Sequence, residues 1–369
     1  MINNQIQIGT RASVMDTEGN LWLSNYFFNG LFKMSFNNHK MEFIDFFPNV
    51  ELGKRETHIG ARMINSEIYF MPYINSLIHI YDLKDNRFSV IEIPAQYGNE
   101  FTNNICINNN LYFISKGGRV LCCNTKERIV VEEEFLSREI DSFINKSGGQ
   151  WHYSVNEEGF VLIDGSGNLM KINISDKSIA EFTLRNDYSN IEIAYYCGDE
   201  FWFSLKNSQD ILLWNRESDN YEYYTSKSKV WGKEKYKLNA YNFTHQYGNE
   251  ILFSNYNAAF PVRVDKNKKN LLPICDDLVN DAIFGISEWG PIFSDIYIYD
   301  DLAYFIPCYS KYLLIYNKKT GDCEKINFSI SVSKMTNISQ IIENIFNIGT
   351  LYETKELFDL SNMISYLND

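Results

Sequence analysis

Residues 294–330 read SDIYIYDDLAYFIPCYSKYLLIYNKKTGDCEKINFSI, four short apolar runs divided by three turn signals. Residues 297–299 alternate, Asp300-Asp301 turns, and residues 303–306 run apolar. A short loop follows Pro307, residues 313–316 run apolar again, and Thr320-Gly321-Asp322 turns into residues 323–328. Short apolar runs bounded by Asp, Asn, Gly and Pro read as strands. The segment is therefore expected to form one four-stranded antiparallel sheet.

Its second run is a ruler for the rest of the chain. Leu21-Trp22-Leu23, Ile68-Tyr69-Phe70, Leu111-Tyr112-Phe113, Phe160-Val161-Leu162, Phe201-Trp202-Phe203, Ile251-Leu252-Phe253 and Ala303-Tyr304-Phe305 are seven copies of one pattern. Their central residues lie 47, 43, 49, 41, 50 and 52 positions apart, the period of four-stranded propeller blades. A tight turn precedes each copy, as at Gly19-Asn20, Asn65-Ser66, Asn108-Asn109-Asn110 and Asp300-Asp301, where residues that tolerate positive φ close an A–B hairpin. A third run follows most copies, and outer strands complete the blades. The expected fold is all-β: a seven-bladed β-propeller of four-stranded antiparallel blades over residues 1–330. All four strands appear in order in the first and last blades, so the ring can close without a swapped strand, although residues 5–8 could still add one.

Residues 331–369 change character. Ile338, Ile341, Ile342, Ile345 and Phe346 recur at helical spacing, as do Leu357, Leu360, Ile364 and Leu367, with Thr336 and Thr354 placed as N-caps. A short C-terminal helical tail of two amphipathic helices is expected, docked on the propeller or on a partner.

The stretch from Asn75 to Tyr81-Asp82, and the matching one from Leu313 to Tyr316-Asn317 with Thr320, resemble the C-strand half of a Kelch-type blade over residues 10–330. Where Kelch blades carry a double glycine after strand B, this chain has Met71-Pro72 and Ile306-Pro307, and no blade shows a WD dipeptide or an Asp-box. Fold here rests on the period, and function does not follow from fold.

Composition narrows the partners. The 34 basic and 47 acidic residues leave a net charge of -13, which argues against nucleic acid or an anionic membrane as the main partner. No apolar run approaches the length of a membrane span, and residues 1–10 have no signal-peptide pattern. A cytoplasmic protein is expected. The seven cysteines (106, 122, 123, 197, 275, 308, 323) are odd in number and include no CxxC pair, which favours reduced thiols.

Dedicated chemistry has no motif here: GxxxxGK, GxGxxG, HExxH and GxSxG are all absent. Gly165-Ser166-Gly167 is a lone hairpin loop. His39, His58, His79, His152 and His245 have no ligand spacing, so a metal would have to be assembled across blades or not at all, and neither a metal nor a cofactor is expected.

What the chain offers is asymmetric loops. The D-to-A connections are long (residues 47–57, 135–150, 225–239 and 275–293), and in a propeller they share a face with the B-to-C loops, where function tends to sit. Tyr26, Tyr73 and Tyr256 each stand four residues after the ruler position and Tyr309 five after. They either ring a mouth suited to a peptide or small organic ligand or pack between blades. Gly9-Thr10-Arg11 and Gly60-Ala61-Arg62 match in neighbouring blades, so Arg11 and Arg62 are candidates to clamp a carboxylate or phosphate. His152, Glu192, His245 and Asp295 lie on the corresponding strands of later blades, and pairing among these charges is the competing reading. A loop with Lys227, Lys229, Lys233, Lys235 and Lys237 around Trp231, followed by one with Asp276, Asp277, Asp281 and Glu288 before Trp289, gives two loops of opposite sign that could orient a zwitterion or pair with each other. Cys308 is the cysteine to test as a nucleophile. The expected function is a binding module for a peptide, a protein, or a small anionic or zwitterionic ligand. The alternative is an enzyme, a lyase, hydrolase or peptide-modifying catalyst, working in the central funnel.

Overall fold

The structure is a computed structural model that describes residues 5–52, 54–102, 104–147, 151–156, 158–185, 191–205, 208, 210–225, 241–247, 250–255, 261–267, 270–275 and 293–331. Among these, β1 (Gln5–Gln7) precedes blade 1, formed by β2 (Ala12–Met15), β3 (Asn20–Ser24), β4 (Leu31–Ser35) and β5 (Met41–Asp45). Blade 2 is β6 (His58–Ile64), β7 (Glu67–Pro72), β8 (Leu77–Asp82) and β9 (Arg87–Glu92). Blade 3 is β10 (Ile105–Ile107), β11 (Asn110–Ile114), β12 (Val120–Asn124) and β13 (Ile129–Glu132), followed by helix α1 (Glu134–Lys146). Blade 4 is β14 (Trp151–Val155), β15 (Gly159–Asp164), β16 (Asn168–Asn173) and β17 (Ile179–Thr183). Blade 5 is β18 (Ile191–Cys197), β19 (Glu200–Leu205), β20 (Ile211–Asn215) and β21 (Asn220–Tyr224). Blade 6 is β22 (Tyr241–Tyr247), β23 (Glu250–Asn255), β24 (Val262–Asp265) and β25 (Asn270–Pro273). Blade 7 is β26 (Phe293–Tyr299), β27 (Leu302–Pro307), β28 (Tyr312–Asn317) and β29 (Cys323–Asn327), and β30 (Ser329–Ser331) follows. Every blade is a four-stranded sheet in sequence order. The fold is the seven-bladed β-propeller that the period predicts.

The ruler triplets all fall on strand B. Its two faces are covered, which is why it reads as a continuous apolar run and not an alternating one: Leu21, Leu23, Ile68, Phe70, Phe160, Leu162, Ile251 and Phe305 are buried on one face, and Trp22, Tyr69, Val161, Trp202, Leu252 and Tyr304 on the other. The register is the same in each blade, with the ruler residue opposite one residue of strand A: Trp22 faces Val14, Tyr69 faces Arg62, Tyr112 faces Ile105, Val161 faces Ser154, Trp202 faces Tyr195, Leu252 faces His245 and Tyr304 faces Tyr297. No strand is swapped within a blade. The N-terminal segment nevertheless adds a strand, because β1 pairs antiparallel with β30 in a separate two-stranded sheet, Ile6 opposite Ile330.

The chain divides into two compact units. In the described residues the first holds blades 1, 2 and 7 with β1 and β30, the second blades 3 to 6. In the first unit, Phe36 of blade 1 stacks on Tyr304 of blade 7 with ring centres 4.0 Å apart, within a core that also takes in Ile8, Leu21, Phe28, Leu313 and Ile330. In the second, one core joins Ile105, Phe160, Leu162 and Ile172 to the helix residues Leu136, Ile140 and Phe143.

That helix corrects the expectation of an irregular loop over residues 135–150. Leu136, Ile140 and Phe143 recur at i, i+4 and i+7, one stripe of an amphipathic helix, and all three are buried. The C-terminal tail lies outside the described residues.

Candidate functional site

Within the first unit, connections on one face of blades 1, 2 and 7 bring several candidate residues together. Tyr26 follows β3, Tyr73 follows β7 and Tyr309 follows β27, each in a B-to-C loop; Arg11 immediately precedes β2, and Arg55 and Glu56 precede β6. The Arg11 guanidinium lies 4.9 Å from the Tyr26 ring centre and 5.7 Å from that of Tyr73. Arg55 sits 6.0 Å over Phe27. Tyr309 packs edge-on against Tyr26 at 5.4 Å and donates its hydroxyl proton to the Tyr26 oxygen at 3.1 Å, while Tyr26 donates to Glu56 Oε1 at 2.5 Å. Burial pushes Tyr309 up to about 12 and Tyr26 higher still, so both phenols are neutral when the guanidinium above them is charged. Neutral ring faces are what a cation stacks on.

Burial works against the Arg11 charge, yet its surroundings, Cys308 first, hold its pKa above the ordinary value. Cys308 is buried, which raises its thiol to about 11, while the nearby Arg11 pulls it down. Burial thus disfavours the thiolate, which is the reactive form. Glu56 has φ +54°, a left-handed backbone that costs a residue with a side chain about 1–3 kcal/mol. It is held there by Tyr26, whose carbonyl accepts the Glu56 N–H at 2.9 Å.

Tyr26 is itself a core residue, so it forms a wall; Tyr73 and Tyr309 are partly exposed. The two readings of the tyrosines thus divide by residue. Tyr256 lies outside the described residues, as do Trp289 and both loops of opposite charge.

The match between the two Gly-x-Arg stretches does not hold in three dimensions. Arg62 sits in the middle of β6 opposite the ruler residue, the place Val14 holds in blade 1, whereas Arg11 comes before β2. Gly9 is needed where it stands for a different reason: a Cβ there would lie 2.1 Å from the Cys308 carbonyl oxygen and 2.6 Å from the Phe27 ring. Arg62 is grouped instead with Asp295 and Tyr297. Burial pushes the Asp295 carboxyl up, and the Ile296 N–H and Arg62 pull it down. Arg62 thus acts electrostatically on Asp295, the two charges that the pairing reading names together.

His152, Glu192 and His245 stand on the A strands of blades 4, 5 and 6, at three different rungs. His245 faces the ruler residue, His152 faces Ile163 two residues further along strand B, and Glu192 falls in a register irregularity of β18.

Sequence reasoning missed a buried chain beside the aromatic cluster. Ser24 Oγ lies 2.7 Å from His58 Nδ1, His58 Nε2 lies 2.8 Å from His79 Nδ1, and His79 Nε2 lies 2.9 Å from the Pro48 carbonyl oxygen. The carbonyl can only accept, so His79 carries its proton on Nε2 and accepts on Nδ1; His58 then donates from Nε2, and Ser24 donates to His58 Nδ1. Burial holds both imidazoles neutral, lowering His79 to about 4 and His58 well below its usual value. The order resembles a nucleophile with its base, but Ser24, His58 and His79 are all buried, and the chain ties blades 1 and 2 together.

Among the described residues no group of three or more His, Cys, Asp or Glu is placed to hold a metal ion, and no helix is long and apolar enough to cross a membrane. The Gly165-Ser166-Gly167 loop spends its donors internally, since Asp164 Oδ1 accepts the N–H groups of Ser166 and Asn168. Asp16 does the same for Glu18 and Asn20 in blade 1. Cys106, Cys122, Cys123, Cys197 and Cys308 are free thiols, whereas Cys275 and Cys323 are disulfide-bonded, which corrects the expectation that all seven are reduced.

No protein-family model matches the chain, and no curated protein does. Solved structures match its fold. Virginiamycin B lyase from Staphylococcus aureus superposes with a TM-score of 0.57 at 12% identity, over 82% of this chain and 95% of the lyase. YCF48 from Cyanidioschyzon merolae gives 0.58 at 11% identity, over 85% of this chain and 96% of YCF48. A structure of YCF48 bound to D1 peptide gives 0.58 at 11% identity, over 82% and 93%. At such identity the likeness is one of fold. The Kelch-type resemblance remains one of strand pattern.

Proposed function

We propose that this propeller is a binding module whose loop face in blades 1, 2 and 7 holds a peptide or protein partner. The observation that carries this reading is the stack of Arg11 on Tyr26 and Tyr73 beside Tyr309. A cation and partly exposed tyrosines on short loops of a rigid sheet scaffold provide flat apolar area, hydroxyl groups and charge at low ordering cost. That the same fold occurs in a structure of YCF48 bound to D1 peptide supports a peptide as the class of ligand. The enzyme reading has no comparable support among the described residues, because the Ser24–His58–His79 chain spends its hydrogen bonds internally and on the Pro48 carbonyl.

The test is selection from a displayed random-peptide library on the immobilised protein and on a Tyr73→Ala/Tyr309→Ala variant. Both tyrosines are partly exposed, so the variant should stay folded and lose most of the enrichment. Equal enrichment on both proteins, or none on the wild type, sinks the reading.

A further inference from the structure

Three donors under the aromatic cluster are buried without a hydrogen-bond partner: Arg11 Nε, Asn25 Nδ2 and Thr57 Oγ1. Asn25 and Thr57 are each 1% exposed, and leaving one such group unpaired costs about 1–3 kcal/mol. The segments that carry them lie side by side. Residues 24–26 and 56–58 run side by side and are fastened at both ends, by Ser24 Oγ to His58 Nδ1 at 2.7 Å and by the Glu56 N–H to the Tyr26 carbonyl at 2.9 Å. Asn25 and Thr57 are the middle residues of the two segments. On the other flank, the Tyr26 N–H bonds the Gly9 carbonyl at 2.6 Å, and the Gly9 N–H donates to Asn25 Oδ1 at 3.2 Å. That second bond fixes the orientation of the Asn25 amide and leaves its NH2 as the free end.

From these unpaired donors we infer that the cradle of residues 9–11, 24–26 and 56–58 is a site for a carboxylate. This deepens the proposed function by naming the group the partner inserts. A carboxylate has four lone-pair directions and accepts a guanidinium edge together with neutral donors. Arg11, stacked on the Tyr26 and Tyr73 rings, supplies the positive charge that a monoanion would neutralise. A phosphate dianion would overshoot it beside Glu56. Cys308 and the Tyr26 and Tyr73 rings hold the guanidinium in place, so little ordering remains when the anion arrives.

The test uses N-acetylglycine and its uncharged twin N-acetylglycinamide, titrated into the protein while the Arg11 Nε–H signal is followed by NMR and assigned with Arg11→Lys. The acid should shift that signal saturably and the amide should not. Thr57→Val keeps the shape and removes the orphan hydroxyl, so it should weaken the acid roughly tenfold or more, one hydrogen bond to a charged acceptor, while raising the thermal midpoint. Equal responses to acid and amide, or an acid response that Thr57→Val leaves unchanged, overturn the inference. Two peptides separate the sources of the group: acetyl-Gly-Gly-Gly with a free terminus, and acetyl-Gly-Asp-Gly-amide. Binding of the first alone assigns a chain terminus, and binding of the second an acidic side chain; binding of neither overturns the inference. Library peptides that bind equally well when amidated and stripped of Asp and Glu would remove the carboxylate and leave the binding-module reading intact. Acid binding without any selected peptide would do the reverse.

Discussion

His58 and His79 share one buried hydrogen-bonded chain in which burial holds both imidazoles neutral, and this makes them an acid-sensitive point of blade 2. A proton added at His79 Nδ1 would set two N–H groups against each other, and one added at His58 Nδ1 would make Ser24 Oγ turn from donor to acceptor. The folded pKa values lie below the unfolded value of about 6.5, so the unfolded chain binds more protons between the two and stability falls as pH drops through that window. With His79 at about 4, that residue alone accounts for about 3 kcal/mol between pH 6.5 and 4 at about 1.4 kcal/mol per unit. We expect denaturant midpoints to fall across that range, and to fall markedly less in a His58→Gln/His79→Gln variant, whose side chains bond but do not titrate. An identical pH profile in the variant would show that the pair does not govern acid stability. The chain was not legible from ligand spacing, because 21 residues separate the two imidazoles. Its signal lay elsewhere: His79 interrupts an apolar C-strand run between Ile78 and Ile80, where a polar ring is buried and must find a partner. Arg11 was legible for the wrong reason. Its equivalence to Arg62 fails on register, while its own surroundings are those of a cation among tyrosines.

At the level of elements, strands were easier to read than the helix. Strand B is covered on both faces, so each ruler triplet is an uninterrupted apolar run with turn residues before it, a signal that survives in all seven blades. Helix α1 has the opposite character. Its apolar stripe is split by Ser137, Arg138, Glu139, Asp141 and Ser142, and inside a long inter-blade connection such a segment passes for a polar loop unless it is scanned at a period of 3.6. The helix is nonetheless part of the fold. Ser137 Oγ accepts the Val120 N–H at 3.0 Å, and Ile140 is buried against blades 3 and 4. Ile140→Ala should cost about 2–5 kcal/mol, the usual range for truncating a buried isoleucine, read as a lowered denaturant midpoint. A change below about 0.5 kcal/mol, the scale of an exposed surface site, would mean that α1 rests loosely on the sheet.

For the whole molecule, the repeat decides the architecture and a few non-repeating residues decide how the first and last blades are joined. The period could count the blades, since each is the same local sheet, but it could not decide what residues 5–8 do, because three strand residues carry no periodicity of their own. Their role is set by pairing across the length of the chain. The Ile8 N–H bonds the Phe328 carbonyl at 2.9 Å, the Thr10 N–H bonds the Pro307 carbonyl at 2.9 Å, and Ile8 and Ile330 are buried in the core shared by blades 1 and 7. A contact between β1 and β30 adds stability without being needed to form any single blade, which places it at the low-stability end of the local opening scale. Deleting residues 1–8 should therefore speed amide hydrogen exchange at residues 328–331 and in β28 and β29 while leaving blade 4 protected. Deleting residues 1–4 should change neither, because β1 starts at Gln5. If exchange at residues 328–331 is the same in all three proteins, β1 is not the fastening between first and last blades. Slowed opening there would in turn keep Arg11, one residue beyond the Thr10 anchor, in register with Tyr309 of blade 7, so the deletion should also loosen carboxylate binding measured by the Arg11 Nε–H signal.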